Sequence, residues 1–159
     1  MRVGKQTPDP GQIRQEANAH ILLELSRMLA LELELLAACE TALERLDDPR
    51  SQRRVEEFCS DHSCRIQALE SMMRGYGAES ADASECSKQL RQGRACIANL
   101  CDDQDVLRAL NANSRSALDI YEDALGTFAT KPDMIRLLKA HLSDERGHQH
   151  WLEGSLQAT

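Results

Sequence analysis

The positions of proline constrain this chain more than any other feature of its sequence. The 159 residues contain four prolines, at positions 8, 10, 49 and 132, so long stretches hold no helix-breaking residue. Asp9-Pro10 and Asp48-Pro49 each place an N-cap residue before a proline at the first helical position. Aromatic residues make up only 3% of the chain, and β-branched residues are scarce, so the residue types that favour β-strands are few. The sequence therefore predicts an all-α protein.

Apolar residues at spacings of three and four mark the inner faces of the long helices. The predicted helices run from Asp9-Pro10 to about Leu46, from Asp48-Pro49 to 75–77, from Asp102 or Asp103 to about Gly126, and from about Thr130 onward. A short extra helix is predicted over 86–100, within the long crossover that begins at 78. We therefore expect a single domain over 9–159, an antiparallel four-helix bundle of two helical hairpins, preceded by a flexible arm at 1–8.

Polar residues interrupt these apolar faces at one level. In the last helix, positions 138, 141, 145, 148 and 152 share one face, which Leu138 and Leu152 mark as buried. The same reasoning on the other helices predicts one polar layer in the core, made of Glu32, His62, Arg65, Ser114, Glu145 and His148. An unpaired buried carboxylate costs several kcal/mol, so a positive charge should lie between the two glutamates.

The segment SDERGHQHWLE, residues 143–153, resembles the fourth helix of the ferritin-like superfamily, in particular its rubrerythrin branch. The Tyr-Glu-x-Ala-Leu run at 121–125 is similar to an uncharacterised bacterial branch of that superfamily. The resemblance implies a bundle that holds two iron or manganese ions, with lone carboxylates from two helices and Glu-x-x-His pairs from the other two. Glu145 and His148 match one such pair, and Glu32 matches a lone carboxylate.

The chain departs from this pattern at the other two positions. His62-Ser63-Cys64-Arg65 replaces the first Glu-x-x-His pair, and Ser114 replaces the second lone carboxylate. Too few carboxylates then remain to neutralise two cations, and Arg65 adds a fixed positive charge that repels a metal. The resemblance therefore implies a degenerate di-metal site.

Two interpretations of the polar layer stay open. In the first, Glu32, His62, Glu145 and His148 bind one iron, manganese or zinc ion, with His141 as an extra ligand or a partner of a ligand. In the second, no cofactor is present, and Arg65 bridges Glu32 and Glu145 as their counter-ion.

The six cysteines, at positions 39, 59, 64, 86, 96 and 101, form no C-x-x-C pair. In a reducing compartment we expect most of them to be small buried apolar residues. The alternative is a thiol-based redox sensor built on Cys59 and Cys64, which flank His62.

Charge and composition exclude several functional classes. The net charge is −7, with a pI of about 5.2 and no basic stripe, which argues against nucleic-acid binding. The chain has no apolar run long enough to span a membrane and no signal-peptide-like start, so we expect a cytoplasmic protein. Leu31, Leu33 and Ile97 lie off the main seam, which favours a homodimer.

The sequence contains no Ser/His/Asp set and no phosphate-binding loop, so no catalytic residue is predicted. The leading hypothesis is a stress-related or binding protein whose metal site is reduced or lost. The alternative is a metal-dependent oxidoreductase of ferritin or rubrerythrin type that acts on iron or peroxide through Glu32, His62, Glu145 and His148.

Overall fold

The computed structural model describes residues 7–83, 88–128 and 131–158, and all regular secondary structure in these ranges is α-helical. The helices are α1 (Pro10–Leu43), α2 (Pro49–Gly75), α3 (Lys88–Ile97), α4 (Asp103–Thr127) and α5 (Pro132–Gln157). The all-α prediction is confirmed. The first helix ends at Leu43 rather than near Leu46. Most of the predicted arm, residues 1–6, and Cys86 lie outside the described residues.

The helices begin where the capping signals predict them. The Asp48 carboxylate accepts hydrogen bonds from the backbone N–H and the hydroxyl of Ser51, at 2.9 and 2.8 Å. Asp102 caps α4 in the same way and accepts from the N–H of Asp105 at 3.2 Å. Asp9 has the extended backbone of an N-cap, but its side chain makes no cap hydrogen bond. An aspartate at an N-cap position therefore does not always make the capping hydrogen bond.

Two pairs of consecutive helices pack side by side in opposite directions. Glu32 meets His62 and Cys39 meets Cys59, so residue numbers rise along α1 as they fall along α2. In the same way Ser114 of α4 meets Glu145 of α5, and Tyr121 meets His141. The Asp103 carboxylate accepts from the backbone N–H groups of Asp47 and Asp48, both at 2.9 Å, and so ties the α1–α2 turn to the start of α4.

The buried apolar residues form two clusters, one on each side of the polar layer. One cluster includes Leu25, Leu69, Tyr121 and Leu138. The other includes Ala42, Val55, Phe58, Leu107 and Leu152. In α2, for example, the second cluster ends at Phe58 and the first begins at Ile66, with His62 between them. Since both flanking clusters are apolar, the polar layer is enclosed by apolar packing above and below.

The short helix α3 packs against α1 and α4. It brings Leu90 and Ile97 into the core, and Leu31 of α1 is also buried. Two of the three residues expected to leave apolar surface for a partner are thus covered within the chain. Leu33 alone of the three is exposed, at 42%. The physical reason is that α3 folds back over a face of α1 that a four-helix arrangement would leave open.

Candidate functional site

All six residues of the polar layer are buried, and they come from four helices. Glu32 of α1 is 0% exposed, Arg65 of α2 is 2% exposed and Glu145 of α5 is 1% exposed. The remaining members, His62, Ser114 and His148, are 2–3% exposed. Periodicity placed these side chains on inner faces, and the packing of the helices brings them together. Their charges must therefore be balanced within the layer.

Arg65 lies between the two glutamates. Its Nη1 donates to Oε2 of Glu145 at 2.7 Å and to Oε1 of Glu32 at 3.4 Å. Burial alone disfavours a charged guanidinium, but the two carboxylates outweigh it and raise the pKa of Arg65 above its ordinary value. Nε and Nη2 of Arg65 are buried and have no hydrogen-bond partner. The guanidinium thus supplies one of the positive charges that the layer needs, with only part of its donor capacity in use.

The Glu32 carboxylate accepts hydrogen bonds from two residues besides Arg65. Nδ1–H of His62 donates to its Oε2 at 2.7 Å, and the Tyr121 hydroxyl donates to its Oε1. Burial raises the pKa of Glu32, but His62, Arg65 and Tyr121 together hold that pKa below its ordinary value. Both oxygens of Glu32 are therefore engaged with protein groups while the side chain stays ionised.

Glu145 is held from three sides. Its Oε1 accepts from the Ser114 hydroxyl at 2.7 Å, and its Oε2 meets Arg65 and, at 3.3 Å, Nδ1 of His148. Burial raises the pKa of Glu145, but the hydrogen bond from His148 and the nearby charges lower it well below the usual range. Ser114, where the resemblance implies a second lone carboxylate, thus serves as a donor to Glu145.

His148 is oriented by a residue outside the predicted set. Its Nε2 lies 2.8 Å from Oδ2 of Asp61, so Nε2–H donates to that carboxylate. The other ring nitrogen, Nδ1, then faces Oε2 of Glu145 at 3.3 Å. In a neutral ring Nδ1 would turn a lone pair toward a carboxylate oxygen. A cation between the two atoms, either a proton or a metal ion, would make this contact attractive.

Tyr121 and His141 extend the hydrogen-bond network of the polar layer beyond Glu32. Nδ1 of His141 lies 3.3 Å from the Tyr121 oxygen. Because the Tyr121 hydrogen is donated to Glu32, Nδ1–H of His141 is the donor in this contact. Burial lowers the pKa of His141 and so favours its neutral form. His141 is therefore a hydrogen-bond partner of Tyr121, and it is not among the residues whose ligand atoms converge.

Three side chains converge closely enough to suggest a cation site. One ligand atom each from His62, Glu145 and His148 lies within 4.8 Å of the others, and all three residues are buried. A cavity of about 20 Å³ is lined by these three together with Ser114 and Cys39, among others. A buried group of this composition could hold a metal ion.

The donor set does not fit the two ions that the resemblance implies. Glu32 is not among the converging ligands, because its oxygens are engaged by His62, Tyr121 and Arg65. One carboxylate, Glu145, remains for metal binding, and Arg65 donates to its Oε2. A di-metal centre needs several carboxylates to neutralise it, so the residues present do not fit one.

A single ion fits the donor set better. In metal sites a carboxylate often accepts from the second ring nitrogen of a histidine ligand. Glu32 has that relation to His62, and Asp61 has it to His148. An ion bonded at about 2.0–2.2 Å requires ligands closer together than 4.8 Å, so the three side chains would have to draw in slightly.

Sequence reasoning missed two contributors to this site. The inner-face position of Tyr121 favoured a core tyrosine over a radical or hydrogen-bonding one near a metal, but its hydroxyl links Glu32 to His141. Asp61 lies off the seam of α2, so the periodicity that found His62 gave no signal for it. The one clue in the sequence was that Asp61 directly precedes His62.

The cysteines are less buried than expected. Of the five within the described residues, Cys39 is buried and Cys59 is half-buried, whereas Cys64, Cys96 and Cys101 are exposed. Cys59 does not pair with Cys64, the residue considered with it in the sensor hypothesis. Its thiol lies near the thiol of Cys39 instead, in the apolar cluster to which Cys39 belongs. The five-residue spacing turns Cys59 and Cys64 to different sides of α2, and packing against α1 selects the partner.

Comparison with known proteins shows the fold and nothing finer. No protein-family model matches the chain, and no curated protein matches it. Among solved structures it is similar to "YcfI, a putative structural protein from Rhodopseudomonas palustris", with a TM-score of 0.67 and 13% sequence identity. The similarity covers 96% of this chain and 98% of that one. Within the described residues, none of the helices combines the length and apolar character needed to cross a bilayer.

Proposed function

We propose that this protein is a ferritin-like four-helix bundle that has exchanged the metal ions of its core for an arginine. It acts as a stress-related or binding protein and turns over no substrate. Two antiparallel helix pairs and a polar layer at mid-height support the ferritin-like arrangement. The observation that carries the proposal is the position of Arg65, whose Nη1 contacts both Glu32 and Glu145.

Charge balance supports the arginine interpretation. Two ionised carboxylates and one guanidinium leave one negative charge in excess inside the layer. A proton on His148 supplies the missing positive charge and also separates its Nδ1 from Glu145. The four buried charges of Glu32, Glu145, Arg65 and His148 then balance without any ion. The carboxylates at the edge of the network, Asp61 and Asp144, are 45% and 57% exposed and keep their access to solvent.

A second candidate function is metal-dependent oxidation of iron or peroxide at a single ion. The converging atoms of His62, Glu145 and His148 favour it. Iron, manganese and zinc all accept such a mixed nitrogen and oxygen set. In that case Arg65 would be a neighbour of the site that competes for Glu145.

Metal analysis of the full-length protein separates the two candidates. The protein is purified without chelator and its iron, manganese and zinc contents are measured, before and after dialysis against each metal. The arginine proposal expects well under one ion per chain, no oxidation of iron(II) and no consumption of peroxide. One tightly bound ion per chain, lost in both Glu145→Ala and His148→Ala but kept in Glu122→Ala, would overturn it. Glu122 is an exposed glutamate of α4 and is the matched control.

The proposal also includes self-association of the chain and a cytoplasmic location. Ile13, Leu23 and Leu33 are the large exposed apolar residues of α1, and they offer a partial surface for a second copy. Light scattering of the purified protein measures the mass in solution, and a monomer at micromolar concentration would remove the dimer from the proposal.

A further inference from the structure

Cys39 and Cys59 face each other across the α1–α2 pair. Each thiol lies close enough to the other to shift its pKa, although the two belong to different helices. Cys39 is part of a buried apolar cluster, and Cys59 packs against the same cluster from α2. The antiparallel packing of the two helices therefore holds these sulfur atoms as neighbours.

The two thiols differ in access to solvent. Cys39 is 5% exposed, whereas Cys59 is half-buried and can be reached from outside. The other cysteines of the described residues, Cys64, Cys96 and Cys101, are exposed. The pair thus combines one accessible sulfur with one protected sulfur behind it, an arrangement suited to attack followed by resolution.

We propose that Cys39 and Cys59 form a peroxide-reactive dithiol that closes to a disulfide between α1 and α2. In the first step the Cys59 thiolate attacks a hydroperoxide. A sulfur–oxygen bond forms, the oxygen–oxygen bond breaks and the leaving oxygen departs as water or an alcohol after protonation. Cys59 becomes a sulfenic acid, oxidised by two electrons, and the peroxide is reduced by the same two.

In the second step the sulfur of Cys39 attacks the sulfur of Cys59. The disulfide bond forms, the sulfur–oxygen bond breaks and the hydroxyl leaves as water with the proton of the Cys39 thiol. A cellular thiol reductant can return the pair to its starting state by exchange. The product links two helices that already lie side by side.

The greater exposure of Cys59 assigns it the attacking role, and the local electrostatics act in the same direction. The neighbouring Cys39 thiol stabilises the Cys59 thiolate and lowers the pKa of Cys59, although burial opposes it. The proximity of Cys59, followed by burial, raises the pKa of Cys39. Cys59 is therefore the better thiolate and Cys39 the resolving thiol.

Oxidation of the full-length protein with hydrogen peroxide tests the proposal. The reduced protein is treated with about one equivalent of peroxide, its free thiols are alkylated under denaturing conditions, and its peptides are mapped by mass spectrometry. We expect the chain to lose two titratable thiols and to yield a cross-linked peptide pair that contains Cys39 and Cys59. Cys64→Ser, which replaces an exposed cysteine on the same helix, should give the same cross-link at an unchanged rate.

Two further variants separate the roles of the two thiols. Cys39→Ser should leave Cys59 as a sulfenic acid that dimedone captures, and Cys59→Ser should leave Cys39 alkylatable after peroxide. Because Cys59 is only half-buried, we expect Cys59→Ser to fold, so this variant tests the proposal even if Cys39→Ser is unstable. The proposal is wrong if peroxide leaves Cys39 and Cys59 alkylatable while exposed cysteines oxidise. It is equally wrong if the cross-link disappears in Cys64→Ser.

Discussion

Nη1 of Arg65 lies 2.7 Å from Oε2 of Glu145, in a part of the core where neither side chain reaches solvent. The same nitrogen is 3.4 Å from Oε1 of Glu32 on α1, the helix that packs beside α2, whereas Glu145 belongs to the α4–α5 pair. One guanidinium therefore joins the two halves of the protein electrostatically. A buried ion pair of this kind contributes less to stability than its geometry implies, but the loss of one partner strands the other charge.

Replacement of Arg65 by methionine should destabilise the protein strongly. Arg65→Met leaves two buried carboxylates without their counter-ion, so we expect the free energy of unfolding to fall by about 3–5 kcal/mol. Urea denaturation measures it, with and without chelator. Arg53→Met, at an exposed position of α2, is the control and should change little. If Arg65→Met instead proved neutral or stabilising, and chelator then destabilised it, a metal ion would be the true counter-charge.

The two tyrosines of the chain should respond differently to loss of their hydroxyl groups. The Tyr121 hydroxyl is buried between Glu32 and His141, so Tyr121→Phe leaves both with one partner fewer. We expect a loss of about 1–3 kcal/mol in the free energy of unfolding. The Tyr76 hydroxyl donates to Asp133 at an exposed site, and Tyr76→Phe should cost no more than about 0.5 kcal/mol. Equal costs for the two variants would contradict this assignment.

Acid should unfold the protein through the polar layer. The pKa values of Glu32 and Glu145 in the folded state lie below the ordinary value of 4.5. As the pH falls below 4.5, the unfolded chain takes up these protons first, so their contribution to stability is present above that pH and lost below it. His141, whose pKa lies below 6.5, adds a loss of the same sign that begins nearer neutral pH.

Unfolding free energies measured across this pH range check the acid prediction. Glu32→Gln should flatten the dependence below 4.5, because one of the two buried carboxylates no longer titrates. Glu122→Gln removes an exposed glutamate and should leave the slope nearly as it is in the unaltered protein. If the unfolding free energy fell with pH at the same slope in all three proteins, the buried carboxylates would not be the cause of the acid unfolding.

Of the two aspartates at Asp-Pro helix starts, Asp48 should contribute more to thermal stability than Asp9. Asp48 caps α2 through two hydrogen bonds with Ser51, whereas the Asp9 side chain makes no cap hydrogen bond. We expect Asp48→Ala to lower the Tm measurably and Asp9→Ala to leave it within experimental error. Thermal melts followed by circular dichroism compare the two variants directly. A larger effect at Asp9 would contradict the capping geometry.

Much of the helical framework could be predicted because its signals are local. Proline at the first helical position and Asp at the N-cap act within a single turn, so the starts of α1, α2 and α4 were predicted closely. The end of α1 was placed too late, since apolar periodicity continues to Leu46, which is buried in the core after the helix has ended. Burial and helical geometry are separate properties, and periodicity reports only the first.

The sequence by itself determined which side chains point inward, because the 3.6-residue period assigns each position to a face of its helix. That was sufficient to place Glu32, His62, Arg65, Ser114, Glu145 and His148 in one layer. Only the tertiary structure decided the pairing within it. Arg65 lies between two glutamates from different helix pairs, Asp61 holds His148, and Cys59 meets Cys39 instead of Cys64. These choices depend on how far one helix is rotated and shifted against another, and the packing of the whole core sets both.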